Sequence, residues 1–164
     1  MTRTTGTVHL YGAHIDTDVI LPGKYLNLFT PEDLGPHCME GLDPDFIKRV
    51  RAGDVLIAGD NFGTGSSREH APIAIKAVGI SCVIATNFAR IFYRNAINIG
   101  LPVFECPEIV AAVKTGDTID ADLTNGLFTV NGVDFQAKPF PPYIQGIIHA
   151  GGLVPFVKAQ LNKT

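Results

Sequence analysis

The chain has 164 residues, 13 basic and 16 acidic side chains, a formal net charge of −3 and 46% hydrophobic residues. That length suits one domain, residues 1–164, with a real core, and the lack of a like-charge block argues against nucleic acid or an anionic membrane as main partner. No apolar run reaches the ~18 residues of a membrane span, and the opening MTRTTGTVHL lacks the apolar centre of a signal peptide, so a cytoplasmic location is expected.

Thr7 to Tyr11 alternates towards a first strand. Residues 12–27, GAHIDTDVILPGKYLN, are rich in turn formers and carry the triplet Asp16-Thr17-Asp18; Pro22 and Gly23 are expected to break any regular element there. Thr30-Pro31-Glu32-Asp33 predicts a short helix, with Thr30 as N-cap and proline at the first helical position. Asp43 to Val50 repeats the signature, with Asp43 as cap, Pro44 at the first position and Gly53 ending the segment. Asp54 to Ala58 reads as a short buried strand, Gly59 to His70 (GDNFGTGSSREH) as a glycine-rich loop, and Ala71 to Val78 as a helix. A strand, a glycine loop and a helix start together collect unpaired backbone N–H groups and partial positive charge, which attract anions. Arg68 adds a forked charge suited to carboxylate or phosphate.

Ile80 to Ala85 lacks alternation, as a strand covered on both faces does in a parallel sheet. Asn87 to Asn98 reads as a helix with Phe88, Ile91, Phe92 and Ala96 near one face and Arg90 and Arg94 on another, and Leu101 to Glu105 returns as a strand. Alternating strands and helices point to an α/β fold with right-handed crossovers. Glu108 to Lys114 reads as a further short helix. Then Thr118–Leu123, Leu127–Val130 and Val133–Ala137, separated by Thr124-Asn125-Gly126 and Asn131-Gly132, predict an antiparallel meander. Pro141 to Ala150 reads as a C-terminal helix capped by Gly151 and Gly152. Cys38, Cys82 and Cys106 lie far apart with no C-x-x-C, which fits a reducing compartment and buried structural thiols better than a cluster held by this chain.

The run GDNFGTGSSREHA, followed by FARIFYRNAINIGLP, closely resembles the small subunits of 3-isopropylmalate dehydratase, the separate-chain counterpart of the last domain of aconitase. The triplet at 16–18 and the meander match too, and the resemblance covers essentially the whole chain. It implies a swivelling β/β/α domain with a partly parallel sheet. It also implies a separate large subunit carrying a [4Fe–4S] cluster, no metal or cofactor on this chain, and a hydroxy-diacid substrate that is dehydrated and rehydrated in leucine biosynthesis. Carried over by motif position, Ser66 is the expected catalytic base, Ser67 and Arg68 hold substrate carboxylate, and Asp16 and Asp18 line or support the site. Self-association of the chain without its partner is left open.

Removing a proton next to a carboxylate builds charge on the carboxylate oxygens, which preformed donors stabilise best. The hydroxyl leaving group needs a Lewis acid, expected on the partner. Serine is a poor base. A helix end offers ~0.3–2 kcal/mol and one pKa unit is ~1.4 kcal/mol, so the dipole alone moves Ser66 by about a unit. Structural readings stand beside these roles. Ser66 with Glu69 is also a capping box, Ser67 is an alternative cap, Arg68 suits a surface position, and Asp16 and Asp18 suit turns that bond their own backbone. Glu69 and His70 read as packing or supporting groups, and His9, His14, His37 and His149 receive no role.

In this family the segment after the triplet is expected to face the variable end of the substrate; here it reads Lys24-Tyr25-Leu26-Asn27-Leu28-Phe29. Homoaconitase-type relatives place an arginine after a Tyr-Leu pair, where this chain has Asn27. A third carboxylate without a charged partner there loses on the order of 2–3 kcal/mol. An isopropyl end is therefore favoured, while methylmalate or dimethylmalate also fit, since one methylene discriminates by only ~1–3 kcal/mol. The competing class is a non-catalytic anion-binding module. A dinucleotide binder is disfavoured because GTGSSR lacks the later glycine of G-x-G-x-x-G.

Overall fold

A computed structural model describes residues 3–163. In chain order the elements are β1 (Arg3–Leu10), α1 (Thr17–Ile20), a 3₁₀ turn (Gly23–Tyr25), α2 (Pro31–Leu34), a 3₁₀ turn (Gly35–His37), α3 (Phe46–Arg49) and β2 (Val55–Ala58). There follow α4 (His70–Ala77), β3 (Cys82–Ala85), α5 (Arg90–Asn98), β4 (Val103–Glu105), α6 (Pro107–Ala112), β5 (Thr118–Asp122), β6 (Leu127–Val130), β7 (Val133–Gln136), α7 (Pro142–His149) and α8 (Leu153–Leu161).

The strands form one mixed sheet in the order β4-β3-β2-β1-β5-β6-β7. β1 is its pivot: it pairs parallel with β2 (Val8 opposite Val55) and antiparallel with β5 (Gly6 opposite Ile119). On one side β2, β3 and β4 continue parallel, and VLIA and CVIA of β2 and β3 are buried at every position. Helical cover on both faces removes the need for alternation, as the expected α/β class requires. On the other side β5 and β6 alternate buried and open residues, so this half packs on one face only. The β6–β7 turn uses Asn131 and Gly132, both at positive φ (53° and 77°), the conformation a two-residue hairpin demands.

Several sequence expectations shift. β1 begins earlier, at Arg3. Residues 12–27 are not free of regular structure: Asp16 accepts from the Asp18 amide and starts α1. Asp43 does not cap a helix; its carboxylate takes the Tyr11 hydroxyl (2.8 Å) and the Arg49 guanidinium, and α3 starts three residues later, after Asp45. α5 starts at Arg90 because Asn87 is held in the loop, its side chain donating to Asp60 and accepting from the Asn61 amide. Ile91, expected on the buried face, is 48% exposed, whereas Phe92 and Ala96 are buried. The chain does not end its helices at Gly151-Gly152. With Gly152 at φ 133° it turns and starts α8, whose Pro155 is tolerated in the first turn. Among the described residues no helix is long and apolar enough to cross a membrane.

Candidate active site

The parallel half places the C-terminal ends of β1, β2 and β3 side by side, where ligands sit in open α/β sheets. The loops after β1 and β2 do not separate. The Tyr11 amide donates to Ile57, Gly59 to Gly12, His14 to Asp60, Gly63 to Ile15 and Thr17 to Thr64, all at 2.7–3.0 Å. The loop after β3 joins through Phe62 to Asn87 (3.1 Å) and Ala89 to Phe62 (2.9 Å). Under this ladder Phe62, fully buried, meets Phe92 edge-on at 5.1 Å and Phe88 at 5.9 Å. Two glycines are dictated by this closeness. Gly63 (φ 85°) leaves no room for a Cβ, which would lie 2.3 Å from the Phe92 side chain. A Cβ on Gly65 (φ 94°) would lie 2.7 Å from both carboxylate oxygens of Asp16.

The residues singled out from the sequence meet here. Asp16 lies against Gly65 and holds the start of α1. Thr17, buried, donates its hydroxyl to the Ser66 carbonyl at 3.0 Å. Asp18 accepts from Arg68 Nη1 at 2.8 Å and from the Gly23 amide at 3.1 Å. The Arg68 hydrogen bond holds the Asp18 carboxyl below its ordinary range, with slight burial opposing and the Gly23 amide assisting. Arg68 Nη1 also donates to the Leu21 carbonyl (3.3 Å), and the side chain is only 17% exposed. A guanidinium has five N–H donors; among the described residues the Nε and Nη2 groups of Arg68 have no hydrogen-bond partner, so one edge of the fork remains for a ligand.

Neither serine caps the helix. The N-cap of α4 is Glu69 and no side chain satisfies its first turn, so the capping-box alternative fails for both Ser66 and Ser67. Both are exposed, and neither hydroxyl has a hydrogen-bond partner among the described residues. Two exposed serines and a half-used guanidinium thus follow one another in the chain just before an uncapped helix start, groups whose chemistry suits a carboxylate.

Residues 23–29 form the rim. Gly23 abuts the guanidinium: a Cβ there would lie 3.6 Å from Arg68 Nη2. Lys24 is exposed and lies over the Tyr25 ring at 5.3 Å; Leu26 and Leu28 are half-buried and Asn27 is exposed. Phe29, 75% exposed, ends the rim with its ring 6.1 Å from that of His70. An apolar groove of about 480 Å³ shares Phe29 and is lined by Ile73, Ile99 and Val154. Its charged lining residue, Lys76, is engaged by the Ile99 (2.7 Å) and Gly151 (3.5 Å) carbonyls, and burial pushes its amine pKa down. That groove offers nothing to an acid.

The cysteines do not suit a cluster. Cys38, Cys82 and Cys106 are buried, and desolvation pushes all three thiols up, Cys82 to about 12. A thiolate ligand needs the opposite. No group of three His, Cys, Asp or Glu side chains is placed to hold a metal among the described residues. Two contributors were not singled out from the sequence. Thr17 acts through a buried hydroxyl and the Leu21 carbonyl through its backbone; only the triplet hinted at the former.

Residues 42–108 match the aconitase C-terminal domain model. The chain is 58% identical to the 3-isopropylmalate dehydratase small subunit of Caldicellulosiruptor bescii over 96% of both chains. It is 55% identical to the 2,3-dimethylmalate dehydratase small subunit of Eubacterium barkeri, covering 96% of this chain and 98% of that one. The crystal structure of 3-isopropylmalate dehydratase from Methanocaldococcus jannaschii superimposes with a TM-score of 0.92 at 42% identity, covering 98% of this chain and 96% of that one. Identity at this level over nearly the full length of both partners shows that the chain belongs to the aconitase superfamily, in the family of 3-isopropylmalate dehydratase small subunits.

Proposed function

We propose that this chain is the small subunit of a hydro-lyase that interconverts 2-isopropylmalate and 3-isopropylmalate through the unsaturated diacid, and that it turns over only with a large subunit. The observation that carries this reading is the half-used Arg68 fork that follows the exposed Ser66 just before an uncapped helix start. The small-subunit names of the relatives imply the larger partner. The partner's [4Fe–4S] cluster supplies the Lewis acid that the departing hydroxide requires. This chain contributes the rest. Arg68 and Ser67 grip one carboxylate and stabilise the charge that gathers on it as the α-proton leaves. Ser66 takes that proton. Asp18 orients the guanidinium and Asp16 fixes the loop beneath the serines. The helix end alone lowers the serine pKa by only about a unit, so the Arg68 charge and closure against the partner contribute the remainder.

The rim selects the acid. Asn27, Leu26 and Leu28 carry no charge for a third carboxylate, which favours a branched apolar end. A second reading, dimethylmalate as the preferred substrate, is favoured by the similarity to the Eubacterium barkeri subunit, whose identity differs by only a few per cent from that of the isopropylmalate relatives. Anaerobic reconstitution with a cluster-bearing large subunit tests both, following the unsaturated intermediate by ultraviolet absorbance with isopropylmalate, dimethylmalate, citramalate and homoaconitate. Turnover is expected only in the mixture, greatest on isopropylmalate, and reduced about 10²–10⁴-fold by Ser66→Ala. No turnover on any acid despite an intact cluster overturns the reading in favour of an anion-binding module, and undiminished turnover in Ser66→Ala overturns the role of Ser66 as base.

A further inference from the structure

We propose that His37 and Glu40 are positioning residues for substrate selection: they clamp Tyr25 and thereby set the rim of residues 23–29 against Arg68. What is being selected rests on the function proposed above; the clamp itself rests on geometry. The Tyr25 ring stacks on the His37 imidazole with centroids 3.7 Å apart and planes 13° from parallel. Glu40 lies 3.3 Å from His37 Nδ1, on the imidazole that stacks on Tyr25. The negative carboxylate favours the protonated phenol, so the tyrosine is pushed above its ordinary range. The same interaction draws Glu40 below its own, burial opposing and His37 assisting.

The clamp cannot drift, because its base is tied to the element that carries Asp18. The Met39 amide donates to Ile20 at 2.7 Å and the Gly41 amide to Val19 at 3.0 Å, with Cys38 and Met39 fully buried. A Cβ on Gly41 would lie 2.7 Å from the Val19 Cα, so the segment is pressed onto α1. A closed circuit results. α1 holds residues 37–41, these hold Tyr25, Tyr25 holds the 3₁₀ turn, and Gly23 in that turn returns to Asp18 beside Arg68. The rest of the rim hangs from it: the Leu26 amide donates to Gly23 (3.2 Å) and the Leu28 amide to Tyr25 (3.0 Å). His37 and Glu40 are themselves 28% and 33% exposed, outside the core. Loosening them therefore moves the selecting residues without dismantling the fold.

Two measurements test this on Glu40→Ala, Glu40→Gln and His37→Ala. In the reconstituted two-subunit enzyme, the ratio of kcat/KM for isopropylmalate to that for citramalate falls about fivefold in Glu40→Ala, a size typical of an apolar pocket losing its fit. The loss appears in KM, with kcat at saturation within about twofold and the smallest change in Glu40→Gln. In amide hydrogen exchange of the isolated chain, Leu26 and Leu28 exchange faster in Glu40→Ala and His37→Ala, while β2 and β3 keep their protection. An unchanged substrate ratio, or a parallel fall in kcat for every acid, overturns the selection role. Unchanged exchange at Leu26 and Leu28 overturns the clamp whether or not the assembly turns over. A wild-type assembly inactive on all acids but with the exchange effect present refutes the proposed reaction and leaves the clamp standing.

Discussion

Two pairs in this molecule, one carboxylate–imidazole and one carboxylate–guanidinium, have the same 2.8 Å separation and opposite characters. His9 and Asp54 lie between β1 and β2 with side chains 3% and 5% exposed. The Asp54 carboxylate is fully used: Oδ1 accepts from the Thr7 amide, Oδ2 from the Arg51 amide (both 2.9 Å) and from His9 Nε2. Asp18 and Arg68 sit at the mouth of the loops, 62% and 17% exposed, and the guanidinium keeps free donors. A buried charge must be satisfied or it destabilises the fold. A pair at a rim is free to leave capacity unspent, and that is the capacity the proposed function assigns to a ligand. The buried carboxylate is thus complete, although His9 Nδ1 behind it is buried without a hydrogen-bond partner among the described residues, whereas the rim guanidinium keeps the donors that the proposed chemistry uses.

Breaking the buried pair has the largest expected effect. Asp54→Ala leaves an imidazole and two backbone amides without their acceptor and costs about 3–5 kcal/mol of unfolding free energy, read by urea denaturation, with little change in turnover per folded molecule. Arg68→Lys shows the reverse. Stability stays within about 0.5 kcal/mol, while kcat/KM of the reconstituted enzyme falls about 30- to 100-fold, because an ammonium holds neither the fork geometry nor Asp18 and substrate together.

Acid separates the pairs further. Burial alone raises the Asp54 carboxyl, but His9 and the Thr7 and Arg51 amides outweigh it and hold the pKa below its ordinary value. Its folded-state pKa is depressed, so its contribution to stability is present above the ordinary aspartate range and lost as pH falls through the folded value. Unfolding free energy measured from pH 6 to pH 3 is expected to drop, with a shallower slope in Asp54→Asn. Asp18 is lowered as well, yet it is exposed, so Asp18→Asn is expected to leave the unfolding curve nearly unchanged. Its expected signature is a KM a few-fold higher, as Arg68 loses its orienting partner.

Much of both networks was legible in the sequence. Unbroken apolar runs announced β2 and β3, Asn131-Gly132 announced the β6–β7 hairpin, and Gly59–His70 announced a loop leading into a helix, because each depends on local backbone preference or burial. At the helix start the structural alternative for Ser66 failed: Ser66-x-x-Glu69 has the spacing of a capping box, but Thr17 of α1 donates to the Ser66 carbonyl, and Glu69 itself is the N-cap. α8 was hidden by Gly151-Gly152, which reads as a terminus when the contact of Gly152 with Asn98 and Ile99 is unknown. His9, given no role, proved to be half of the buried pair, since its partner lies 45 positions away.

By itself the sequence determined the α/β class, the meander, the glycine-rich loop before α4 and the family, all of which follow from short-range pattern or a contiguous motif. The tertiary structure alone decided that Asp18 orients Arg68, that Asp16 fills the space Gly65 leaves, and that His37 and Glu40 reach Tyr25. Those pairings close only after the loops behind β1 and β2 have zipped together. Their energy depends on distance in space, and spacing along a chain carries no record of it.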